Sequence, residues 1–453
     1  MGKYFGTDGF RGRAGVDLLS THAYKIGRFL GYYLKGEAKA RAIIGKDTRL
    51  SSSLFEDAIS SGLSSSGADV YKLGICTTPA VSYLSKSEGF DIGIMISASH
   101  NPYYDNGIKI IDSSGKKIDD EFISKIENYI DNEDFEKEFP FASGEKIGKI
   151  VDFSSELNKY VDFLYAASSV SLSGLKIGLD PSNGGGFDVC QAVFNRLGAD
   201  VHIINNAPSG ININEGCGST HMEALCNFVK SRALDVGFAY DGDGDRCIAV
   251  DENGEEIDGD KIMYALAIDL KEENELKKDT VVTTVMSNGG LYKALSSHGI
   301  SHVETKVGDR YVSEEMVRGG YSLGGEQSGH IIISKYLETG DGILTSIKLA
   351  ELIKKKKRKL SSLTKEVKPF PQILKNVHVV DKNAILGSIS VQKAKKEAEQ
   401  LLKNGRVLLR PSGTEPLIRI MVEGEDKNEC ESVANMLENT IKSVKGEEKR
   451  DEN

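Results

Sequence analysis

Three aspartates, Asp241, Asp243 and Asp245, alternate with glycines in a short loop after the strand-like segment 235–239. Glycine lets the backbone turn tightly, so carboxylates at alternate positions can converge on a hard cation such as Mg²⁺ or Ca²⁺. An EF-hand is excluded, because Arg246 stands where that loop requires glycine and strand-like segments flank the loop. An arginine beside the carboxylates indicates that an anion such as a phosphate binds there too. A surface turn rich in Asp and Gly is the alternative.

A second candidate loop, residues 97–102, carries hydroxyls and a histidine. The apolar run 92–96 predicts a buried strand, and small polar residues at its end lie at the rim of a sheet, where α/β folds bind ligands. Ser99 and His100 in the loop, with Lys109 further on, could supply proton transfer and positive charge for a phosphate. Because Asn-Pro is also a common turn signal, a plain turn stays open.

Four other segments have compositions suited to a sugar phosphate. Residues 325–330 offer an acid, an amide, a hydroxyl and an imidazole, which suit sugar hydroxyls and one proton transfer. Residues 410–416, followed by Arg419, offer hydroxyls, backbone amides and two guanidinium groups for a phosphate, although they match neither the Walker loop nor the dinucleotide fingerprint. Segments 306–311 and 6–12 are glycine-containing loops that could line the same cleft. Each of the four could be a simple turn.

The chain repeats one pattern of elements three times. A short strand, a polar turn, a helix and a second strand after glycine occur in residues 42–71, 176–202 and 281–303. Each copy then has one more strand that ends in a polar loop. These loops are the serine loop (residues 97–102), the aspartate loop (residues 240–246) and residues 324–330, respectively. This alternation predicts three similar α/β domains with mixed, mostly parallel sheets around a central cleft. The segment after Pro371 predicts a smaller α+β domain at the C-terminus.

Length and composition limit the classes of function. A chain of 453 residues is too long for one core, and its net charge of −10 disfavours general attraction to nucleic acid or an anionic membrane. The basic run 354–359 is therefore interpreted as a solvated helix end or a linker, with a nucleic-acid patch as the alternative. The six cysteines include no Cys-x-x-Cys pair, and the sequence shows no signal peptide and no membrane-spanning run. We therefore expect a cytoplasmic protein.

Shifts in composition set the predicted domain boundaries. We expect a serine-loop domain at 1–154, a metal-loop domain at 155–254, a sugar-loop domain at 255–368 and a phosphate-binding domain at 369–453.

Taken together, five motifs resemble those of the α-D-phosphohexomutase family, in the family's order across nearly the whole chain. They lie at 6–12, 97–102, 241–246, 325–330 and 410–416. The resemblance implies a phosphoserine enzyme, in which a phosphoryl group passes from the serine to the sugar and the other phosphate of the bisphosphate intermediate returns to it. It further implies a small-molecule sugar phosphate as the partner, with no nucleic acid and no membrane, and a homodimer as one expected assembly.

The resemblance also assigns roles to individual residues. Ser99 would be the phosphoserine, and one Mg²⁺ would be bound by Asp241, Asp243, Asp245 and a phosphoryl oxygen on Ser99. The other catalytic residues expected from the resemblance are Arg11, His100, Lys109, Arg246 and His330, with Lys109 and His330 as candidates for proton transfer. The expected substrate-binding residues are Glu326, Ser328, Asp309, Arg310, Arg410, Ser412, Gly413, Thr414 and Arg419.

Within this family, the motifs look most like the branch that acts on glucosamine phosphates. Gln327, residues 307–312 and residues 339–342 carry that likeness, whereas Phe10 and Gly289 depart from it without removing a catalytic group. The branch implies interconversion of glucosamine 6-phosphate and glucosamine 1-phosphate through glucosamine 1,6-bisphosphate, which feeds UDP-N-acetylglucosamine synthesis. The alternatives are a phosphomannomutase/phosphoglucomutase activity, a phosphatase, and a non-catalytic sugar-phosphate sensor.

Overall fold

The computed structural model describes residues 2–6, 8–36, 39–132, 134, 137, 139–402, 405–412 and 416–451, the last seven of them as backbone only. The chain forms two compact units. The first unit comprises Met1–Ser287 and His298–Lys365, and the second comprises Asn288–Ser297 and Glu366–Asn453.

A seven-stranded sheet opens the first unit, in the order β1-β2-β6-β5-β3-β4-β7. Its strands are β1 (Phe5–Gly6), β2 (Gly9–Arg13), β3 (Arg41–Lys46), β4 (Asp69–Ile75), β5 (Ile92–Ile96), β6 (Asp105–Asp112) and β7 (Ile150–Asp152). The helices of this region are Ser20–Tyr33, Ser52–Ser66, Thr78–Ser87 and Asp120–Asp131. All five residues of β5 are buried, as expected for a central strand covered on both faces.

A five-stranded sheet follows, in the order β12-β11-β10-β8-β9. Its strands are β8 (Lys176–Asp180), β9 (Asp200–Ile203), β10 (Val236–Tyr240), β11 (Cys247–Val250) and β12 (Glu256–Ile257). The helices of this region are Leu157–Ala167, Phe187–Arg196 and Glu223–Arg232.

The third sheet of the first unit has four strands, in the order β14-β13-β15-β16. Its strands are β13 (Thr280–Thr284), β14 (Ser301–Thr305), β15 (Leu323–Gly325) and β16 (Ile331–Ile333), with helices at Gly259–Glu272, Asp309–Gly319, Gly342–Lys356 and Leu360–Thr364. Asp341 caps the N-terminus of the helix Gly342–Lys356: its Oδ1 accepts the N–H of Leu344 at 2.9 Å and so satisfies a free amide of the first turn.

The second unit is built on an antiparallel sheet in the order β17-β19-β18. Its strands are β17 (Gln372–His378), β18 (Arg406–Pro411) and β19 (Leu417–Glu423), and its helices are Gly289–Ser297, Lys382–Gly387, Ile389–Leu401 and Lys427–Asp451. The helix faces and one sheet face share a core that includes Ile418, Ile420 and Leu437. This is the small α+β domain predicted from the sequence.

The three sheets of the first unit repeat one topology around a central strand. Strands β5, β10 and β15 each pair in parallel with the first strand of their repeat and antiparallel with the strand that follows them, β6, β11 and β16. The predicted fold class, three similar α/β domains and a smaller α+β domain, is confirmed. The predicted domain boundaries stay a prediction. Among the described residues, every helix is too short or too polar to cross a bilayer.

Candidate active site

The loops at the ends of β5, β10 and β15 lie together in the first unit. Ser99 Oγ, after β5, donates a hydrogen bond to Asp241 Oδ2, after β10, at 2.5 Å. His330, just before β16, places Nδ1 3.7 Å from Asp245 Oδ2. Equivalent positions of three repeats therefore supply a hydroxyl, a carboxylate cluster and an imidazole to one site.

The aspartate loop gathers three buried carboxylates within reach of one cation. One oxygen from each of Asp241, Asp243 and Asp245 lies within 4.8 Å of the other two. Gly244 gives the loop its sharp turn at φ +69°, in the left-handed region that favours glycine. Burial and the like charges of Asp245 and Asp243 raise the pKa of Asp241 well above its usual range. A bound cation would relieve this concentration of negative charge.

The oxygens in this loop fit a divalent metal. Asp243 Oδ1 and Asp245 Oδ1 are buried and accept no hydrogen bond from the described residues. A buried carboxylate oxygen without a partner is expensive unless a ligand satisfies it, and carboxylate oxygens are the donors that hard divalent cations prefer. The three aspartates can therefore bind a metal ion.

The ammonium group of Lys109, on β6, neutralises part of the negative charge of the same carboxylate cluster. Its Nζ lies 2.6 Å from Asp243 Oδ2, 3.3 Å from Asp245 Oδ2 and 3.2 Å from Asp8 Oδ2. Burial would lower the pKa of Lys109, but the carboxylates of Asp243, Asp245 and Asp8 hold it well above its usual range. Lys109 is therefore positively charged and offsets part of the negative charge of the aspartate loop.

His100 and Arg246 lie next to Ser99 and to each other. His100 Nδ1 is 3.4 Å from Ser99 Oγ, and it accepts a hydrogen bond from Arg246 Nη1 at 3.3 Å. Burial, with the positive charges of Arg246 and Arg11, lowers the pKa of His100 to about 4. His100 is therefore neutral near pH 7, and the positive charge at this point comes from Arg246. Arg11 pairs with Asp8, which also contacts Lys109.

His330, in the third domain, contacts Asp245 of the aspartate loop. Its Nε2 lies 3.8 Å from Asp309 Oδ2 and accepts the N–H of Gly340 at 3.1 Å, so the imidazole carries its proton on Nδ1, facing Asp245. Burial would lower the pKa of His330, but Asp245, Asp309 and Glu326 raise it. Asp309 also forms an ion pair with Lys117.

The remaining predicted residues of the first unit have different surroundings. Glu326 is largely buried, and its Oε2 accepts the N–H of Gly308 at 3.2 Å, while Ser328 is exposed. Arg310 forms ion pairs with Asp120 and Glu314, at 2.5 and 2.7 Å, so the structure does not bring its guanidinium to the Ser99 cluster.

The predicted phosphate-binding residues belong to the second unit. Arg410 and Arg419 lie opposite each other on β18 and β19, where burial and the charge of Arg419 lower the pKa of Arg410. The Ser412 amide donates to Leu417 O at 2.9 Å. Gly413 and Thr414 lie outside the described residues.

Several residues of the site were not predicted from the sequence. Asp8 forms ion pairs with both Lys109 and Lys117, and Lys117 also pairs with Asp309. Arg49, after β3, and Asn214, in the second domain, hydrogen-bond to the backbone of the serine loop. Arg49 had a detectable signal, because it follows the first strand of a repeat at the sheet edge that carries the site. Asp8 lies in the predicted motif 6–12 but had no role assigned to it, whereas Lys117 and Asn214 are not in any motif.

Comparison with known proteins gives consistent matches over the four domains. The models for phosphoglucomutase/phosphomannomutase α/β/α domains I, II and III match residues 2–137, 158–254 and 258–370, and the C-terminal domain model matches 361–440. A phosphoglucosamine mutase from Lachnoclostridium phytofermentans is 52% identical over 96% of this chain and 97% of its own. One from Geobacillus thermodenitrificans is 49% identical over 99% of this chain and 100% of its own.

Solved structures show the same fold at low sequence identity. A phosphoglucomutase/phosphomannomutase family protein from Burkholderia thailandensis superimposes with a TM-score of 0.80 at 21% identity, covering 97% of both chains. Aspergillus fumigatus N-acetylphosphoglucosamine mutase, solved with GlcNAc-6P and magnesium, gives a TM-score of 0.68 at 18% identity, covering 98% of this chain and 96% of its own. Matched domain by domain and over nearly its full length, the chain belongs to the phosphoglucomutase/phosphomannomutase family of α-D-phosphohexomutases.

Proposed function

We propose that this protein is an isomerase that interconverts glucosamine 6-phosphate and glucosamine 1-phosphate by intramolecular phosphoryl transfer. The observation that carries the proposal is the 2.5 Å contact between Ser99 Oγ and Asp241 Oδ2, because it puts a buried hydroxyl next to three carboxylates that could hold a metal ion. The sugar is supported by the full-length relatives of about half identity, which are named phosphoglucosamine mutases.

The reaction begins with a phosphoryl group on Ser99. The sugar O1 of glucosamine 6-phosphate attacks phosphorus, the new O1–P bond forms, and the Ser99 Oγ–P bond breaks to give glucosamine 1,6-bisphosphate. The bisphosphate turns round, and Ser99 Oγ takes the phosphoryl group from O6, releasing glucosamine 1-phosphate. Each half-reaction moves one proton from the attacking hydroxyl to the leaving oxygen, and the net change is an isomerisation.

This chain's residues supply positioning and charge for the transfer. We assign the metal to Mg²⁺, held by Asp241, Asp243, Asp245 and a phosphoryl oxygen, because the donors are all hard oxygens. Bound there, the cation would neutralise charge on the transferring group. Arg246 and Arg11 offer further positive charge, and Lys109 and His330 handle the protons at the attacking and leaving oxygens.

The sugar and its other phosphate are assigned to the remaining predicted residues. Glu326, Ser328 and Asp309 bind sugar hydroxyls, and Arg310 binds at the edge of the sugar site. The non-reacting phosphate is bound by Arg410, Ser412, Gly413, Thr414 and Arg419. The six free thiols support a reducing, cytoplasmic location. A homodimer is the assembly we propose.

Intact-mass measurement and turnover test the proposal together. We expect the purified protein to carry one phosphate that maps to Ser99, and to convert glucosamine 6-phosphate faster than glucose or mannose 6-phosphate. Ser99→Ala should abolish turnover and leave sugar-phosphate binding intact, whereas Ser124→Ala, at an exposed helical serine of the same domain, should change neither. Undiminished turnover by Ser99→Ala, or a preference for a neutral hexose phosphate, would refute the assignment.

A further inference from the structure

Arg49 is buried directly beneath the serine loop and hydrogen-bonds to its backbone. It is 2% exposed, and its guanidinium donates to four carbonyl oxygens, those of Ser99, Asn101, Pro102 and Asp105. The Nη2 group reaches Ser99 O and Asn101 O at 2.8 Å each. The planar fork of a guanidinium suits this multiple contact, which a lysine ammonium cannot reproduce.

The amide of Ser99 is held through the same arginine. Asp47 Oδ2 accepts Arg49 Nε at 2.8 Å and Ser97 Oγ at 2.6 Å. Ser97 Oγ in turn accepts the N–H of Ser99 at 2.9 Å. Both backbone polar groups of Ser99 are therefore bound to one buried hydrogen-bonded network, and neither uses the Ser99 hydroxyl.

Asn214 reaches the same carbonyl oxygens from the second domain. Its Nδ2 donates to Ser99 O at 2.9 Å and to Asn101 O at 3.0 Å. Asn214 is 6% exposed and has a φ of +58°, which asparagine tolerates better than most residues. The serine loop of the first domain is thus held by side chains of two domains.

This network accounts for the backbone conformation of Ser99. Ser99 has a φ of +52°, in the left-handed region that a residue with a Cβ adopts rarely and keeps only where its surroundings impose it. In this conformation Ser99 Oγ lies 2.5 Å from Asp241 Oδ2. The hydrogen bonds to Ser99 O and N fix the backbone from which Oγ projects, and so fix the direction in which it projects.

We propose that Arg49 and Asn214 are positioning residues for phosphoryl transfer. They hold Ser99 in its left-handed conformation, so that its phosphoryl group points toward the carboxylates of the aspartate loop. The inference rests on the proposed function, since it concerns the same serine. Positioning contributes strongly to phosphoryl transfer, because the reaction needs in-line alignment of the reacting oxygens, and a displacement of about 1 Å can slow an enzyme about 100-fold.

Asn214→Asp tests the proposal with a near-isosteric change. The aspartate tolerates the left-handed φ, but it replaces the N–H₂ group that donates to the carbonyls of Ser99 and Asn101 by one oxygen, which only accepts. The matched control is Asn274→Asp, because Asn274 is exposed and has a φ of +59°. Arg49→Lys is a second variant, which keeps the charge beside Asp47 and loses the fork.

The measurement is the single-turnover rate constant for transfer from phosphorylated Ser99 to glucosamine 6-phosphate. A first-order rate constant does not depend on the fraction of folded enzyme, so a merely structural role would not change it. We expect Asn214→Asp and Arg49→Lys to lower it by about 10- to 100-fold, with KM changed less than about threefold, and Asn274→Asp to leave it unchanged.

Two outcomes overturn the inference in distinguishable ways. If wild-type enzyme transfers its phosphoryl group and Asn214→Asp does so within about twofold of the same rate, Asn214 does not position Ser99. If wild-type enzyme neither carries nor transfers a phosphoryl group at Ser99, the proposed function fails and the inference fails with it.

Discussion

Asp243 is the residue of the aspartate loop that lies nearest to the Lys109 ammonium group. Its Oδ2 accepts hydrogen bonds from Lys109 Nζ, at 2.6 Å, and from Thr78 Oγ1, while its buried Oδ1 has no hydrogen-bond partner among the described residues. Asp243→Asn places an N–H₂ group where either the cation or the Lys109 ammonium needs an oxygen. We expect metal affinity to fall at least about tenfold, and kcat at least about 100-fold, measured by Mg²⁺ titration of activity and by calorimetry.

The control for Asp243→Asn is Asp188→Asn, which removes an exposed carboxylate from the same domain. That variant should keep the metal dependence and kcat of the wild type. An Asp243→Asn enzyme with unchanged metal affinity would show that this loop does not bind the metal.

Sequence patterns predicted the residues that lie in compact motifs, and missed those that act through distant contacts. Alternation of Asp and Gly brought Asp241, Asp243 and Asp245 together, because three ligands within five residues need only local geometry. Lys117 contacts Asp8 and Asp309, which are 109 and 192 residues away in the chain, and no spacing rule anticipates such a pairing. The same applies to Asn214, which lies 115 residues from Ser99.

At the scale of elements, the repeat was predictable because each β-strand–helix–β-strand unit is local in sequence. The predicted strands appear as β3 and β4, β8 and β9, and β13 and β14. Of the strands that return from the site, β11 was predicted as a strand-like segment after the aspartate loop, whereas β6 and β16 were not predicted. The antiparallel pairing of β6 with β5 and of the three-residue β16 with β15 depends on partners that only the folded sheet supplies.

Gly242 lets the aspartate loop approach the serine loop closely. A Cβ at this position would lie 2.5 Å from Ser99 O and 3.0 Å from Asn214 Nδ2. Gly242→Ala must therefore separate the two loops, and we expect it to lower the free energy of unfolding by about 1–3 kcal/mol and to lower kcat as well. Urea unfolding and steady-state turnover measure the two effects. Gly36→Ala is the control, because a Cβ there meets no atom within 4 Å, and equal behaviour of the two variants would contradict the close approach.

Glu351, on the helix Gly342–Lys356, hydrogen-bonds to Ser169, which precedes β8. Its Oε1 accepts the Ser169 hydroxyl at 2.5 Å and lies 2.9 Å from Lys355 Nζ, while its Oε2 pairs with Lys348. Burial would raise the pKa of Glu351, but the hydrogen bonds from Lys348, Ser169 and Lys355 lower it to about 2. The folded state therefore gains stability from the ionised form above pH 4.5, and that gain is lost as the pH falls towards 2.

Glu351→Gln tests this contribution by its pH dependence. We expect the variant to be less stable than wild type by about 2–3 kcal/mol near pH 7, with a difference that shrinks as the pH falls below the usual range of glutamate. Chemical unfolding from neutral to acidic pH measures it. Glu121→Gln, at an exposed helical pair with Lys125, should differ little from wild type at any pH. A Glu351→Gln deficit that does not change with pH would exclude the electrostatic origin.

At the scale of the whole molecule, an acidic protein must bind a substrate that carries a phosphate. The net charge is −10, so the long-range field repels anions, and the cations that hold the phosphate act only locally. Glucosamine 6-phosphate carries an ammonium group that glucose 6-phosphate lacks. We therefore expect the long-range field of the protein to favour the amino sugar over the neutral one.

This field should make sugar discrimination dependent on salt. Raising the ionic strength from about 0.01 M to about 1 M shortens the Debye length from about 30 Å to about 3 Å, which removes the long-range part of the preference. We expect the ratio of kcat/KM for glucosamine 6-phosphate to that for glucose 6-phosphate to fall about two- to fivefold over this range. Glucose and mannose 6-phosphates carry equal charge, so their ratio should stay constant and serves as the control. A preference for the amino sugar that is unchanged or larger at high salt would assign the discrimination to short-range contacts with the 2-amino group alone.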